Sequence, residues 1–272
     1  MSADDTTRSF RAEYYKNADF SHWLKKIDYS AKKVLSFKKD ESKKGYLLDM
    51  YSSYLQLAEI LLINIYANSE DGFAQRLFVG NIELRTYFIE NGQRHDFIEW
   101  FLLGYDFGIK EKASINNFEQ KYSEHQSILE EVISDYLKDF DFLNAYKHGY
   151  RVLGAAGNHS IAFNLGGNTS YKIAEFDTLL TYFTKENAKN ERNKVIGIDV
   201  YENTILVNIK RVIIKATFLT AVLENMRLIL AAEGHSDKSI VLEHFYLEDK
   251  KIWQESFGGF RSKEFKHSSR YT

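Results

Sequence analysis

The feature that most limits how this chain can fold is a run of apolar residues with a helical period near its centre. Between residues 115 and 143 they recur in steps of three, four and seven: Ile115, Phe118, Tyr122, Leu129, Val132, Ile133, Tyr136, Phe140 and Leu143. Such steps place the side chains on one stripe of a helix with about 3.6 residues per turn. The sequence therefore predicts a long amphipathic helix from Ile115 to about Leu153, against which other helices pack.

The absence of proline from all 272 residues agrees with long, uninterrupted helices. Proline removes a backbone donor and clashes with the preceding turn, so helix interiors and central strands exclude it. Apolar periodicity predicts further helices at 20–37, 46–67, 73–89, 95–107 and 205–232. Together these segments predict a multi-helix bundle and a mainly α fold class.

Before the last long helix the pattern changes to short β-prone segments separated by glycine. The segments are 160–165, 169–174, 179–183 and 195–201, with a polar hairpin loop at 184–194. Because so few short strands do not form a stable domain alone, we expect them to pack on the helices. The sequence predicts a small antiparallel β insertion (160–201) in a single domain covering 1–272, with loose ends at 1–18 and 257–272.

Composition excludes several classes of chemistry. The chain has no cysteine, which rules out disulfides and thiolate catalysis, and its net charge of −2 indicates no general affinity for nucleic acid. The first residues are polar and acidic, unlike a secretory signal, and no run approaches the ~18 apolar residues of a membrane span. These features predict a soluble, cytoplasmic protein with no membrane partner, and we predict neither a cofactor nor a resident metal.

The candidate functional site lies at the C-terminal end of the predicted central helix. Asn144, His148 and Arg151 are spaced i, i+4, i+7 and share one face if the helix continues, with Lys147 beside them. His159 follows in a glycine-marked segment. An amide, imidazoles and cations in this pattern can bind an anion or serve acid–base chemistry. The alternative is a helix C-terminus whose cations suit its dipole.

A second segment allows a different interpretation. The His95-Asp96 pair, with Glu99 nearby, resembles the pair in HD-type metal-dependent phosphohydrolases, all-helical proteins that add another His and a distant Asp. The candidates for those further ligands are His22, Asp135, Asp139 and Asp141. This resemblance implies a metal phosphohydrolase as an alternative function.

The segment Asn144-x-x-Lys147-His148-x-x-Arg151 resembles HEPN-type helical proteins, and the resemblance in architecture covers residues 46–232. That family consists of four- to five-helix bundles, many of them bacterial and several with small β insertions. Its pattern is an Arg, a polar residue, and a His after four to six intervening residues. Here His148 precedes Arg151, and seven residues separate Arg151 from His159, with Val152 in the polar position.

The resemblance implies two functions. Some HEPN-type proteins are inactive and only bind or dimerise, and we predict such a non-catalytic module, with RNA or a second copy of the chain as partner. Others are metal-independent endoribonucleases of toxin or antiphage type. In that alternative His148, or else His159, takes a proton from a ribose 2′-OH, and Arg151 stabilises the charged phosphorus centre. Asn144 and Lys147 then orient the phosphate.

Overall fold

The computed structural model of the chain describes residues 3–37, 40–69, 72–92, 118–147, 152–164, 170–232 and 261–270. The helices within these residues are α1 (Ala3–Asn17), α2 (Ser21–Ser36), α3 (Asp40–Asn68), α4 (Phe73–Arg76), α5 (Asn81–Asn91), α6 (Phe118–Lys147) and α7 (Ile209–Ala231). The strands are β1 (Val152–Asn164), β2 (Ser170–Lys189), β3 (Val195–Val207) and β4 (Arg261–Arg270). The predicted fold class is confirmed: the chain is mainly helical, and three strands of an antiparallel sheet precede the last long helix.

Several helix boundaries differ from the prediction. The segment 73–89 is two helices, because Gly80 adopts an extended conformation (φ −75°, ψ 149°) between α4 and α5. The central helix does not reach Leu153, since β1 begins at Val152. Val152 pairs with Tyr182 of β2, so apolar residues that the helical pattern assigned to the central helix belong to the sheet. The predicted helix 95–107 lies outside the described residues.

The contacts within the chain divide it into two compact units. Unit 1 contains residues 1–25, 54–139 and 214–248, and unit 2 contains residues 26–53, 140–213 and 249–272. Each unit has buried apolar side chains of its own. The single domain inferred from the sequence stays a prediction.

In unit 1 the N-terminal segment is a helix instead of the predicted loose end. Tyr15 of α1 is fully buried, and its ring centroid lies 5.9 Å from that of Phe73 on α4. Its hydroxyl donates to Asn64 Oδ1 of α3 at 2.7 Å, and Asn68 Nδ2 donates to Tyr15 Oη at 2.7 Å. These contacts hold α1 against α3, which periodicity within residues 1–18 could not show.

In unit 2 the four strands form one antiparallel sheet in the order β1-β2-β3-β4. The strands are longer than predicted, because polar residues of the predicted loop pair in the β2–β3 ladder as far as Lys189. The hairpin closes at Asn190, whose side-chain oxygen accepts hydrogen bonds from the backbone N–H groups of Arg192 and Lys194 at 3.0 Å each. Asn193 takes the left-handed conformation that this turn requires (φ 61°), which asparagine tolerates well.

Within the described residues 261–270, a fourth strand replaces the loose tail that was predicted at 257–272. β4 pairs with β3 from Ile205↔Arg261 to Gly197↔Arg270. Gly197 permits this approach, because an added Cβ would lie 2.0 Å from the backbone oxygen of Ser269. The Arg270 guanidinium, 2.7 Å from Asp199, holds the pKa of that carboxyl below its usual range, and the Ser268 hydroxyl adds to this effect. Hydrogen bonds from polar side chains thus hold β4 at the edge of the sheet, although β4 does not alternate apolar and polar residues.

The raised pKa values of three tyrosines lead us to expect a loss of stability at high pH. Burial, followed by the nearby Glu59 charge, raises the pKa of Tyr136, which is fully buried; burial also raises the pKa values of Tyr14 and Tyr146. A raised folded-state pKa contributes stability that is complete below the unfolded value of about 10 and is lost as pH rises above it.

We therefore expect the free energy of unfolding to fall above pH 10, and buried Tyr136 contributes up to about 1.4 kcal/mol per pH unit to this fall. Urea unfolding between pH 8 and 11 measures the slope. Tyr136→Phe should show a shallower fall than the wild type. Identical slopes in the two proteins would refute the assignment to Tyr136.

Candidate functional site

The structure describes part of the site that the sequence predicted. Asn144 and Lys147 lie in the last turn of α6, which runs without a break from Phe118 to Lys147. His148 and Arg151 lie outside the described residues, so the shared face stays a prediction beyond Lys147. His159 belongs to strand β1, where it pairs with Phe176 after a register irregularity.

Asn144 lines a polar cleft of about 450 Å³ in unit 2. The end of α6 and three strands of the sheet form the cleft, whose lining residues are Asp141, Asn144, Ala145, Phe183, Thr184, Lys185, Glu186, Asn203 and Lys263. Such a volume is within the range of small-ligand sites in proteins. One predicted site residue therefore lies in an opening large enough for a ligand of nucleotide size.

The register of the sheet explains why these polar groups meet. Asn203 of β3 pairs with Tyr182 of β2 on one side and with Lys263 of β4 on the other. Residues opposite each other on antiparallel strands project from the same face. On that face Phe142 of α6 contacts Tyr182, with ring centroids 5.7 Å apart and an interplanar angle of 83°. The helix thus covers one end of the face and leaves the cleft beside it.

Hydrogen bonds and an ion pair connect the polar groups of the cleft. Asn203 Nδ2 donates to Thr184 Oγ1 at 2.8 Å, and the Lys263 ammonium forms an ion pair with Glu186. Asp141 adds a second carboxylate to the lining, whereas Lys185, next to Thr184 along β2, projects from the opposite face of the sheet. The cleft consequently offers donors, acceptors and both charges, which suits a ligand with several kinds of polar group better than an isolated anion.

An exposed aromatic residue adjoins the cleft on the same face. Tyr201 and Phe265 are opposite each other on β3 and β4, and their ring centroids are 5.8 Å apart with an interplanar angle of 74°. Phe265 is 53% exposed, although it is a large apolar side chain. Lys263 Nζ lies 4.2 Å from the centroid of the Tyr201 ring. We call the cleft together with Tyr201 and Phe265 the sheet-face site.

Sequence reasoning missed most of this site. The sequence pattern predicts a loop at Thr184 and a loose tail at Lys263 and Phe265. Asn203 received no role. Their positions depend on the strand register, which links residues about 20 to 80 positions apart. The β-branched and aromatic residues flanking 184 and the aromatic residue at 265 were the available signals, but none of them indicates a pairing partner.

A second cluster of polar side chains lies in the helical core of unit 1. Lys215 Nζ of α7 lies 2.6 Å from Asp135 Oδ2 and 2.8 Å from Glu131 Oε2, both on α6. Tyr54 of α3 donates to the same Asp135 oxygen at 2.7 Å. Lys215 and Asp135 are only 4% and 6% exposed. This enclosed arrangement joins three helices and is suited to fixing their packing.

The same contacts bear on the metal interpretation. Asp135, a candidate ligand, accepts hydrogen bonds from Lys215 and Tyr54. His22 packs edge-to-face against Trp23, with ring centroids 5.6 Å apart. Within the described ranges, no group of three or more His, Asp or Glu residues could hold a metal ion. His95 and Asp96 lie outside those ranges, so the phosphohydrolase stays an untested alternative.

Comparison of the chain with protein-family models, with curated proteins and with solved structures finds no match. In the part of the chain that the structure describes, no helix combines the length and apolarity needed to cross a membrane. A functional proposal therefore depends on the chemistry of the residues themselves.

Proposed function

We propose that this protein is a non-catalytic binding module that holds single-stranded RNA on the sheet-face site. The observation that supports the proposal is the position of Phe265, an exposed aromatic ring beside a cleft lined by amide, hydroxyl and charged side chains. This combination matches the groups that an unpaired nucleotide presents. The proposal also takes up the HEPN-type resemblance at Asn144 and Lys147, where phosphate contacts were expected.

Each part of an unpaired nucleotide has a partner of suitable chemistry. Bases that are not in a duplex stack on exposed aromatic rings, and sheet surfaces are a common place for this. Phe265 can provide the stacking surface, and Lys263 can contact phosphate. Asn203 and Thr184 can hydrogen-bond the ribose hydroxyls or a base edge.

The two carboxylates of the cleft favour RNA over a simple phosphate as the ligand. Asp141 and Glu186 outnumber Lys263, so the site has no excess positive charge. Carboxylates repel phosphate but accept hydrogen bonds from base amino groups, as they do from cytosine N4. We therefore expect binding to depend on the bases and only weakly on salt, because few phosphates are neutralised.

The test measures fluorescence anisotropy of labelled single-stranded RNA of about ten nucleotides with the full chain. Loss of one base–aromatic stack reduces the binding free energy by about 1–3 kcal/mol, so Phe265→Ala should weaken affinity by roughly 5- to 150-fold. The matched control is Tyr29→Ala, since Tyr29 is 54% exposed on α2, and it should bind as the wild type does. Absence of wild-type binding, or equal affinity of Phe265→Ala and wild type, would refute the proposal.

The same samples distinguish binding from cleavage. In EDTA we expect the RNA to remain intact with the wild type, His148→Ala and Arg151→Ala. Cleavage that appears only with the wild type would replace this proposal with the metal-independent endoribonuclease. A DNA oligonucleotide of the same sequence shows whether the 2′-hydroxyl contributes, because DNA lacks this group.

A further inference from the structure

Helix α5 in unit 1 carries an apolar stripe that is open to solvent. Ile82 and Ile89 are two helical turns apart on one face, and they are 85% and 67% exposed. Thr86 is exposed between them, and Phe78, just before the helix, is 80% exposed. Ile82 and Phe78 are the most exposed large apolar side chains among the described residues. We call Phe78, Ile82 and Ile89 the α5 stripe.

The α5 stripe ends at a groove in the same unit. The groove has a volume of about 540 Å³, and α5 and α6 form its walls. Ile89 belongs to both the stripe and the groove, and Phe88, Ile133 and Leu137 form the apolar floor. One surface therefore presents protruding apolar side chains and, directly beside them, a concave apolar surface.

We propose that a second copy of this chain covers this surface through a two-fold symmetric contact. In such a contact the same patch faces itself, so a protrusion and a groove on one protomer meet the groove and the protrusion of its partner. Ile82 or Phe78 of one protomer then enters the groove between α5 and α6 of the other. A single surface that contains both shapes fits this arrangement without any further component.

Charges around the groove also complement a second copy. Glu90 and Glu130 line it together with Lys138. Rotation about a two-fold axis brings a lysine of one protomer towards a glutamate of its partner. A partner that carries only one sign of charge would meet a like charge somewhere on this rim, whereas an identical copy brings both signs.

The α5 stripe supplies a large part of the area that a dimer requires. From their exposed fractions, the three side chains of the α5 stripe supply roughly half of the ~800 Å² that each partner of a standard interface buries. The groove and its charged rim supply further area. Aromatic and aliphatic side chains at the centre with charges at the rim are the usual composition of such interfaces.

Sedimentation velocity of the full chain from about 1 to 200 μM tests the proposal, which does not depend on RNA binding. We expect a dimer in the wild type, and we expect Ile82→Asp and Phe78→Asp each to raise the dimer dissociation constant at least tenfold. Leu35→Asp is the matched control, since Leu35 is 65% exposed on α2, and it should dimerise normally. Circular dichroism confirms that each variant is folded.

A charge reversal provides a second, independent measurement. Lys138→Glu should weaken the dimer, and Lys138→Glu combined with Glu90→Lys should restore it. A monomeric wild type at 200 μM, or a dimer that both Ile82→Asp and Phe78→Asp leave intact, would overturn the proposal.

Discussion

Replacement of Lys215 by methionine should lower the free energy of unfolding by about 3–5 kcal/mol, the usual cost of breaking a buried ion pair by removing one partner. Lys215 is 4% exposed and lies within 2.8 Å of carboxylate oxygens of both Glu131 and Asp135. Methionine fills a similar volume but leaves two carboxylates without this cation. The destabilisation therefore comes from buried charge and not from a cavity.

Urea unfolding followed by circular dichroism measures the effect, which corresponds to a thermal midpoint lower by about 10 °C in a protein of this size. The control is Lys210→Met on the exposed surface of the same helix, which should stay within about 0.5 kcal/mol of the wild type. Tyr54→Phe removes only one hydrogen bond to Asp135, so we expect a cost of about 1 kcal/mol.

A combined variant separates charge from packing. Lys215→Met together with Asp135→Leu and Glu131→Gln removes all three charges, and we expect it to recover most of the lost stability. Apolar or neutral replacements of similar volume for buried ion clusters are often neutral or stabilising. A single Lys215→Met variant within 1 kcal/mol of the wild type would show that water reaches these carboxylates and that the cluster is not buried in solution.

This cluster illustrates what sequence patterns cannot specify. The helical period places Lys215 in the last long helix and Asp135 in the central helix, and both placements are confirmed. Their contact joins residues 80 positions apart, which no local pattern encodes. The sequence therefore leaves Asp135 open as a candidate metal ligand, because it does not identify Lys215 as the partner of this carboxylate.

The same reasoning explains which elements were predictable. Helices such as α2 and α3 follow from apolar spacing within a few turns, so their existence was predicted correctly. β4 is polar, and only its ladder with β3 makes it a strand. The end of α6 was predicted too late because Val152 fits a helix and a strand equally well until Tyr182 is known to lie opposite it. Of the sheet-face site, the sequence singled out Asn144, as a phosphate-binding residue, and Asp141, as a candidate metal ligand.

Phe142 offers the second large expected effect, and it tests how α6 is held on the sheet. Its side chain is fully buried in unit 2, where its ring lies 5.3 Å from Tyr51 of α3 and 5.7 Å from Tyr182 of β2. Phe142→Ala should destabilise the protein by about 3–5 kcal/mol, because removal of a buried ring also leaves a cavity. Phe265→Ala should change stability by less than about 0.5 kcal/mol, since that ring is half exposed.

Variants of these two phenylalanines therefore distinguish an effect on stability from an effect on RNA binding. Phe142 lies two positions before Asn144, so the ring fixes the helix turn that lines the cleft, whereas Phe265 is the proposed stacking surface. We expect the milder Phe142→Leu, which retains most of the volume, to be less stable than the wild type in urea yet to bind RNA with wild-type affinity. Phe265→Ala should show the opposite combination. If Phe142→Leu lost binding and Phe265→Ala retained it, the ligand would contact α6 and not the aromatic face of the sheet.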